Sequence, residues 1–163
     1  MAVSIFLKFE GPNVEGESVV EEHQKEIDVS AWSWGMTQSG SMHVATGGGS
    51  GKVSVQDITI TKQVDKATPV LMKYCCSGQH FNKATLTVTK AGGDKPVPYL
   101  TINMENVLIS SQKTGGSNGG ETISESVSLN FGKYKVLYKP QSKEGIAMPE
   151  VEHAWDIAMN KTF

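Results

Sequence analysis

Gly47-Gly48-Gly49-Ser50-Gly51-Lys52 gathers glycine amides, a hydroxyl and a lysine in one short stretch, the materials of a phosphate cradle. The order does not complete one. Thr46 stands where the first Gly belongs and Val53 where a Ser or Thr hydroxyl would meet magnesium. The residues that follow read as a strand, so no helix N-terminus closes the anion site. The four histidines, His23, His43, His80 and His153, are scattered without metal-ligand spacing, and no Gly-x-Ser-x-Gly elbow accompanies the many serines. Cys75 and Cys76 are neighbours, which rules out an ordinary disulfide between them and the CxxC spacing of zinc and redox sites; they read as two small buried apolar residues in a reduced, cytoplasmic setting. Carboxylates are plentiful, yet their pairing for acid and base work depends on a fold that joins distant residues. The expectation is no catalytic residue, no cofactor and no metal.

All 15 basic residues are Lys. A chain without Arg lacks the planar fork that grips phosphates and guanine edges, which argues against nucleic-acid recognition and phosphoryl transfer. No apolar run reaches the roughly 18 residues of a spanning helix, and the opening MAVSIFLKFEGPN alternates where a signal peptide would be continuously apolar. Charge is unevenly placed. Residues 10–28 hold seven acids against Lys25, whereas residues 133–143 hold four lysines and no acid. Two readings stand: two solvated faces, or a head-to-tail contact between copies using Glu21, Glu22 and Glu26 against Lys133, Lys135 and Lys139.

The elements that would carry these residues are mainly strands. At 163 residues one domain, 1–163, buries roughly 70% of its unfolded surface without staples. Val3, Ile5, Leu7 and Phe9 alternate with polar neighbours, as do Ala84, Leu86 and Val88, then Val127, Leu129 and Phe131, and finally Val151, His153, Trp155 and Ile157. The phase slips in three places: Val29 and Ala31 against Trp32 and Trp34, Val55 against Ile58, and Met104 against Val107. Each predicts a bulge, the device that bends long antiparallel strands into barrels. One helix is expected, over about Pro69 to Ser77, with Thr68 as N-cap and Gly78 in the left-handed position beyond its end; Leu71, Tyr74 and Cys75 face the barrel. The fold class is therefore all-β, a bulged two-sheet antiparallel barrel with one short helix and a long Gly-rich loop between Met36 and Lys52. A second glycine run, from Lys113 to Glu121, reads as a hairpin tip.

The motifs AWSWGMTQSGSMH, KVSVQD, DKATPVLMKYCCSGQHF, the long KAGGDKPVPYL…VSLNFGK segment and YKPQ together resemble the haemolysin-coregulated protein family, the tube protein of bacterial type VI secretion. The similarity runs from Met1 to about Pro140, with departures at Gly11 to Val20 and Gln141 to Val151. It implies a homo-hexameric ring, rings stacked into a hollow tube, a trimeric spike protein at the tip, a contractile sheath around it, and effector proteins held in the lumen. The chain would be cytoplasmic before firing and secreted through the apparatus afterwards, a non-enzymatic subunit without nucleic-acid partners or membrane insertion. Phe163 follows directly on the last strand, so no C-terminal toxin extension is expected.

Within such a ring, Trp32 and Trp34 pack inward and turn Ser33 and Gly35 toward the channel. The mobile, hydrogen-bonding loop from Gln38 to Gly51 suits ring stacking, through Gln38, Ser39, Ser41, Met42, His43, Val44, Gly47, Gly48, Gly49 and Ser50. The competing reading is a monomeric or dimeric β-barrel module that binds a glycan or peptide along that loop. A hydrolase of unknown type stands behind both.

Overall fold

Alternating strands with few helical segments bury their apolar faces against one another, in a sandwich or a closed barrel, and the computed structural model shows the barrel. It describes residues 3–40, 42–43, 51–91, 95–141 and 148–163. In chain order the strands are β1 (Val3–Glu10), β2 (Ile27–Val29), β3 (Ala31–Ser33), β4 (Met36–Thr37), β5 (Ser54–Val55) and β6 (Ile58–Gln63). The helix α1 (Thr68–Ser77) follows, then β7 (Phe81–Lys90), β8 (Val97–Gly115), β9 (Ser124–Tyr138), β10 (Val151–Asp156) and β11 (Lys161–Thr162).

All pairings are antiparallel. The order β2-β1-β7-β8-β9 continues through β6 to β3, and because β2 and β3 are consecutive, the circuit returns on itself at Ser30, whose N–H donates to Thr61 O at 2.8 Å. That closes the barrel. The long strand β9 forks: its first half pairs with β6, its second half with β10, so β10 and β11 flare from the barrel as a wing. The ribbon β4–β5 stands at the root of the glycine loop. The Lys113–Glu121 run forms the β8–β9 hairpin tip, as the turn residues demand.

Leu7, Phe9, Ile27, Leu86, Val127 and Leu129 fill the interior, each no more than 1% exposed. Phe6, on the opposite face of β1, is also buried; His23 stacks over its ring at 4.3 Å. The three expected bulges resolve differently. At Ser30 the chain leaves β1 for β6, and at Gln56–Asp57 it leaves β4 for β3, so these two slips are changes of partner. The third is a change of face shared by two strands. Asn106, at φ 55°, lies across from Gly132, and both β8 and β9 turn over there without gaining a residue. The register shifts lie elsewhere in β8, at Ser110 and at Tyr99. A chain cannot show its own bulges when the extra residue is polar and the flanking phase looks continuous.

The helix starts one residue earlier than expected. Ala67 holds the N-cap position, Asp65 Oδ1 accepts its N–H at 2.9 Å, and Thr68, the expected N-cap, is instead the first helical residue, its hydroxyl bonded to Glu125 Oε1. Gly78 takes φ 69° and donates to Tyr74 O at 3.0 Å, ending the helix as its lack of Cβ permits. Leu71 is buried, Tyr74 and Cys75 half-buried, and Cys76 is exposed. Adjacent helical residues point about 100° apart, and here Cys75 falls on the side packed against the core while Cys76 falls on the solvent side, against the expectation that both are buried.

Candidate functional site

Strand alternation places a row of small hydroxyls on the outer face. Trp34 packs edge-on against Tyr134 at 4.8 Å and donates its indole N–H to Gln56 O at 2.8 Å; Trp32 packs on the core. Between them, Ser33 is exposed and shares a rung with Thr59, Ser128 and Ser111. The next rung holds Ala31, Thr61, Ser126 and Lys113. Thr59 and Ser128 hydroxyls bond each other at 2.9 Å. This face offers many weak hydrogen bonds and almost no apolar or charged grip. Gly35, beyond the strand, is half-buried, and a Cβ there would come 3.3 Å from Gln56 Oε1.

At the loop root, Gly51 passes so close to Ser39 that a Cβ would lie 1.9 Å from its Oγ, so a larger residue there would have to displace the Ser39 side chain. Gln38 and Ser39 are exposed, Met42 is 88% exposed and His43 is exposed. Ser41, Val44, Gly47, Gly48, Gly49 and Ser50 lie outside the described residues. Beneath the root is a cavity of about 360 Å³ whose lining includes Met36, Val53, Tyr134, His153 and Trp155. Tyr134 hydroxyl lies 3.1 Å from His153 Nε2, and burial raises its pKa above the ordinary phenol value.

The candidate interface charges are largely engaged within the chain. Glu22 meets Lys95 at 3.7 Å, Glu26 meets His23 at 2.9 Å, Lys133 meets Asp156 at 3.7 Å and Lys135 meets Glu152 at 3.3 Å. For Lys133 the cross-strand register gives the reason. Glu10, Lys83, Glu105, Lys133, Asp156 and Lys161 form one rung across six strands, alternating in sign at every step. Glu21 and Lys139 have no ion-pair partner among the described residues.

A cluster that motif reading passed over lies under α1. Lys62 and Glu125 side chains are both 0% exposed and paired. Lys62 Nζ also donates to Asp65 Oδ1 at 2.8 Å and Gln63 O at 3.0 Å. Thr68 hydroxyl donates to Glu125 Oε1 at 2.9 Å, and Gln112 Nε2 donates to Glu125 Oε2 at 2.6 Å. The signal was present in the strand period: Lys62 continues the inward phase of Ile58 and Ile60, and Glu125 that of Val127 and Leu129. Beside it opens a cleft of about 430 Å³ that Glu17, Asp28 and Asp65 help to line. Asp28, largely exposed at its mouth, has its pKa raised by partial burial first, then by Asp65 and Glu17.

Among the described residues, no group of three or more His, Cys, Asp or Glu is placed to hold a metal ion, and no helix is long and apolar enough to cross a membrane.

Residues 6–138 match the family model described as type VI secretion system effector, Hcp. The chain is 50% identical over 161 residues to protein hcp1 of Pseudomonas aeruginosa, covering 98% of both chains. Among solved structures it resembles one described as a type six secretion system protein, at TM-score 0.92 and 27% identity over 99% of this chain and 100% of that one. It also resembles Hcp1 from Salmonella typhimurium, at TM-score 0.81 and 34% identity over the whole of both chains.

Proposed function

This chain belongs to the Hcp family of type VI secretion proteins, and from that premise we propose that it is the tube subunit: six copies close into a ring, and rings stack into a hollow tube that a contracting sheath expels. The observation that supports the reading is the hydroxyl-lined face at Ser33, Thr59, Ser128 and Ser111. A lumen that carries unrelated effector proteins needs a wall that hydrogen-bonds weakly and offers no large apolar anchor, because a strong hot spot would retain its cargo. Ser33 faces that lumen, with Gly35 at its margin. The loop from Gln38 to Gly51 reaches the next ring, and the spike protein and sheath are the remaining partners.

A compact domain of this length has a radius of gyration near 15 Å, too small to enclose a protein-sized bore, so the channel lies between subunits. The ring contact uses strand edges and apolar surface more than the lysines of β9, which already pair within the chain. Mass in solution tests the reading: six copies of the 17.6 kDa chain weigh about 106 kDa, whereas a glycan- or peptide-binding module sediments as a monomer or dimer. A species of one or two chains across the micromolar range overturns the ring.

A further inference from the structure

The anchorage of α1 is lopsided. Ala67, Thr68 and Leu71 are buried at its start, while from Met72 to His80 no residue is buried and only Tyr74 and Cys75 are half-buried. The start is also where the polar bonds converge. Two residues link the helix there: Ala67 N–H donates to Asp65 Oδ1 at 2.9 Å, and the Thr68 hydroxyl donates to Glu125 at 2.9 Å while accepting the Asp65 N–H at 3.1 Å, beside the buried Lys62–Glu125 pair. The far end rests on two half-buried side chains, Cys75 and Tyr74, the latter edge-on to Phe81 at 5.2 Å, with Phe9 4.5 Å beyond.

We propose that α1 is a strap pinned at its first turn by the Lys62–Glu125–Thr68 cluster, able to swing off the barrel as a unit and uncover an aromatic floor of Phe9 and Phe81. The remaining strand ladders contain none of its backbone bonds, so the barrel keeps its pairing when the helix lifts. The pin is all-or-none in character. A buried cation between two carboxylates tolerates the loss of one partner poorly, since a charge is then left without compensation. Segments with few buried apolar contacts open below the global unfolding free energy, and α1 beyond Leu71 is such a segment.

Cys75 is a built-in reporter, half-buried on the side of the helix facing the barrel. In a Cys76→Ser background, the assembled protein is treated with a thiol reagent in increasing urea. The strap predicts that Cys75 labelling depends on urea more shallowly than global unfolding, because less surface is exposed on opening. Thr68→Val, which removes the helix's hydroxyl bond to Glu125 and its 3.4 Å contact with Lys62 Nζ while leaving Lys62 its two carboxylates, raises the labelling rate about tenfold, the scale of one charge-assisted hydrogen bond. Binding of an apolar dye rises in parallel, with the strand signal in far-UV dichroism retained. Labelling that follows the global unfolding curve in the parent, that is already unprotected there, or that Thr68→Val leaves unchanged overturns the proposal. Should Thr68→Val fail to fold, the urea dependence of the parent decides alone.

Discussion

Asp28 illustrates how one residue carries the electrostatics of a cleft. Its carboxyl is disfavoured in the charged form by partial burial and by Asp65 and Glu17, so its pKa in the fold lies above the ordinary 3.8. The folded state therefore binds the proton more readily than the unfolded chain, and the site lowers stability above the raised pKa. That penalty shrinks as pH falls through the raised value and is absent below the unfolded one. Asp28→Asn is expected to raise the melting temperature at pH 7 and leave it unchanged near pH 3, as calorimetry at the two pH values checks. At the same scale, the strand period already places Lys62 and Glu125 inward, but it cannot say that they meet. They are 63 positions apart, and only the β6–β9 register joins them.

Among the elements, the loop between β4 and β5 is least explained by the needs of one barrel. Its root is tightly built, with Gly51 pressed on Ser39, while Met42 stands 88% exposed. A large apolar side chain exposed to water gains by meeting another surface. Replacing residues 41–50 by a tight turn is expected to leave the proposed ring at six copies, because the barrel walls are untouched, and to abolish stacking in electron micrographs and release from secreting cells. Normal release by the shortened variant shows that stacking rests on other surfaces.

Across the whole molecule, charge is arranged by the sheet and not by the chain. Segregation along the sequence suggests opposed faces, yet Lys133 sits between Glu105 and Asp156 on a rung that neutralises itself, and Lys135 pairs with Glu152. Lys133→Glu sets three acids side by side and is expected to lower stability by about 1–2 kcal/mol, read in a denaturant titration, since each cross-strand pair contributes roughly 0.2–1 kcal/mol. The proposed ring is then expected to resist salt. Exposed charges are screened within about 8 Å at physiological ionic strength, so a ring that falls apart as salt is raised would assign those charges to the contact between copies.

Read alone, the sequence determined the class of fold, the helix with its Gly78 terminus, the two inward tryptophans flanking Ser33, and the family motifs. Each of these rests on local information: a two-residue period, a capping residue, a run of neighbouring side chains. The tertiary structure decided what joins distant segments. It placed the two partner changes at Ser30 and Gln56–Asp57, the shared turnover at Asn106 and Gly132, the charge rung across six strands, and the buried Lys62–Glu125 pair. The physical reason is register. Pairing between strands far apart in the chain is set by the sum of contacts over the whole barrel, and no window of sequence contains that sum.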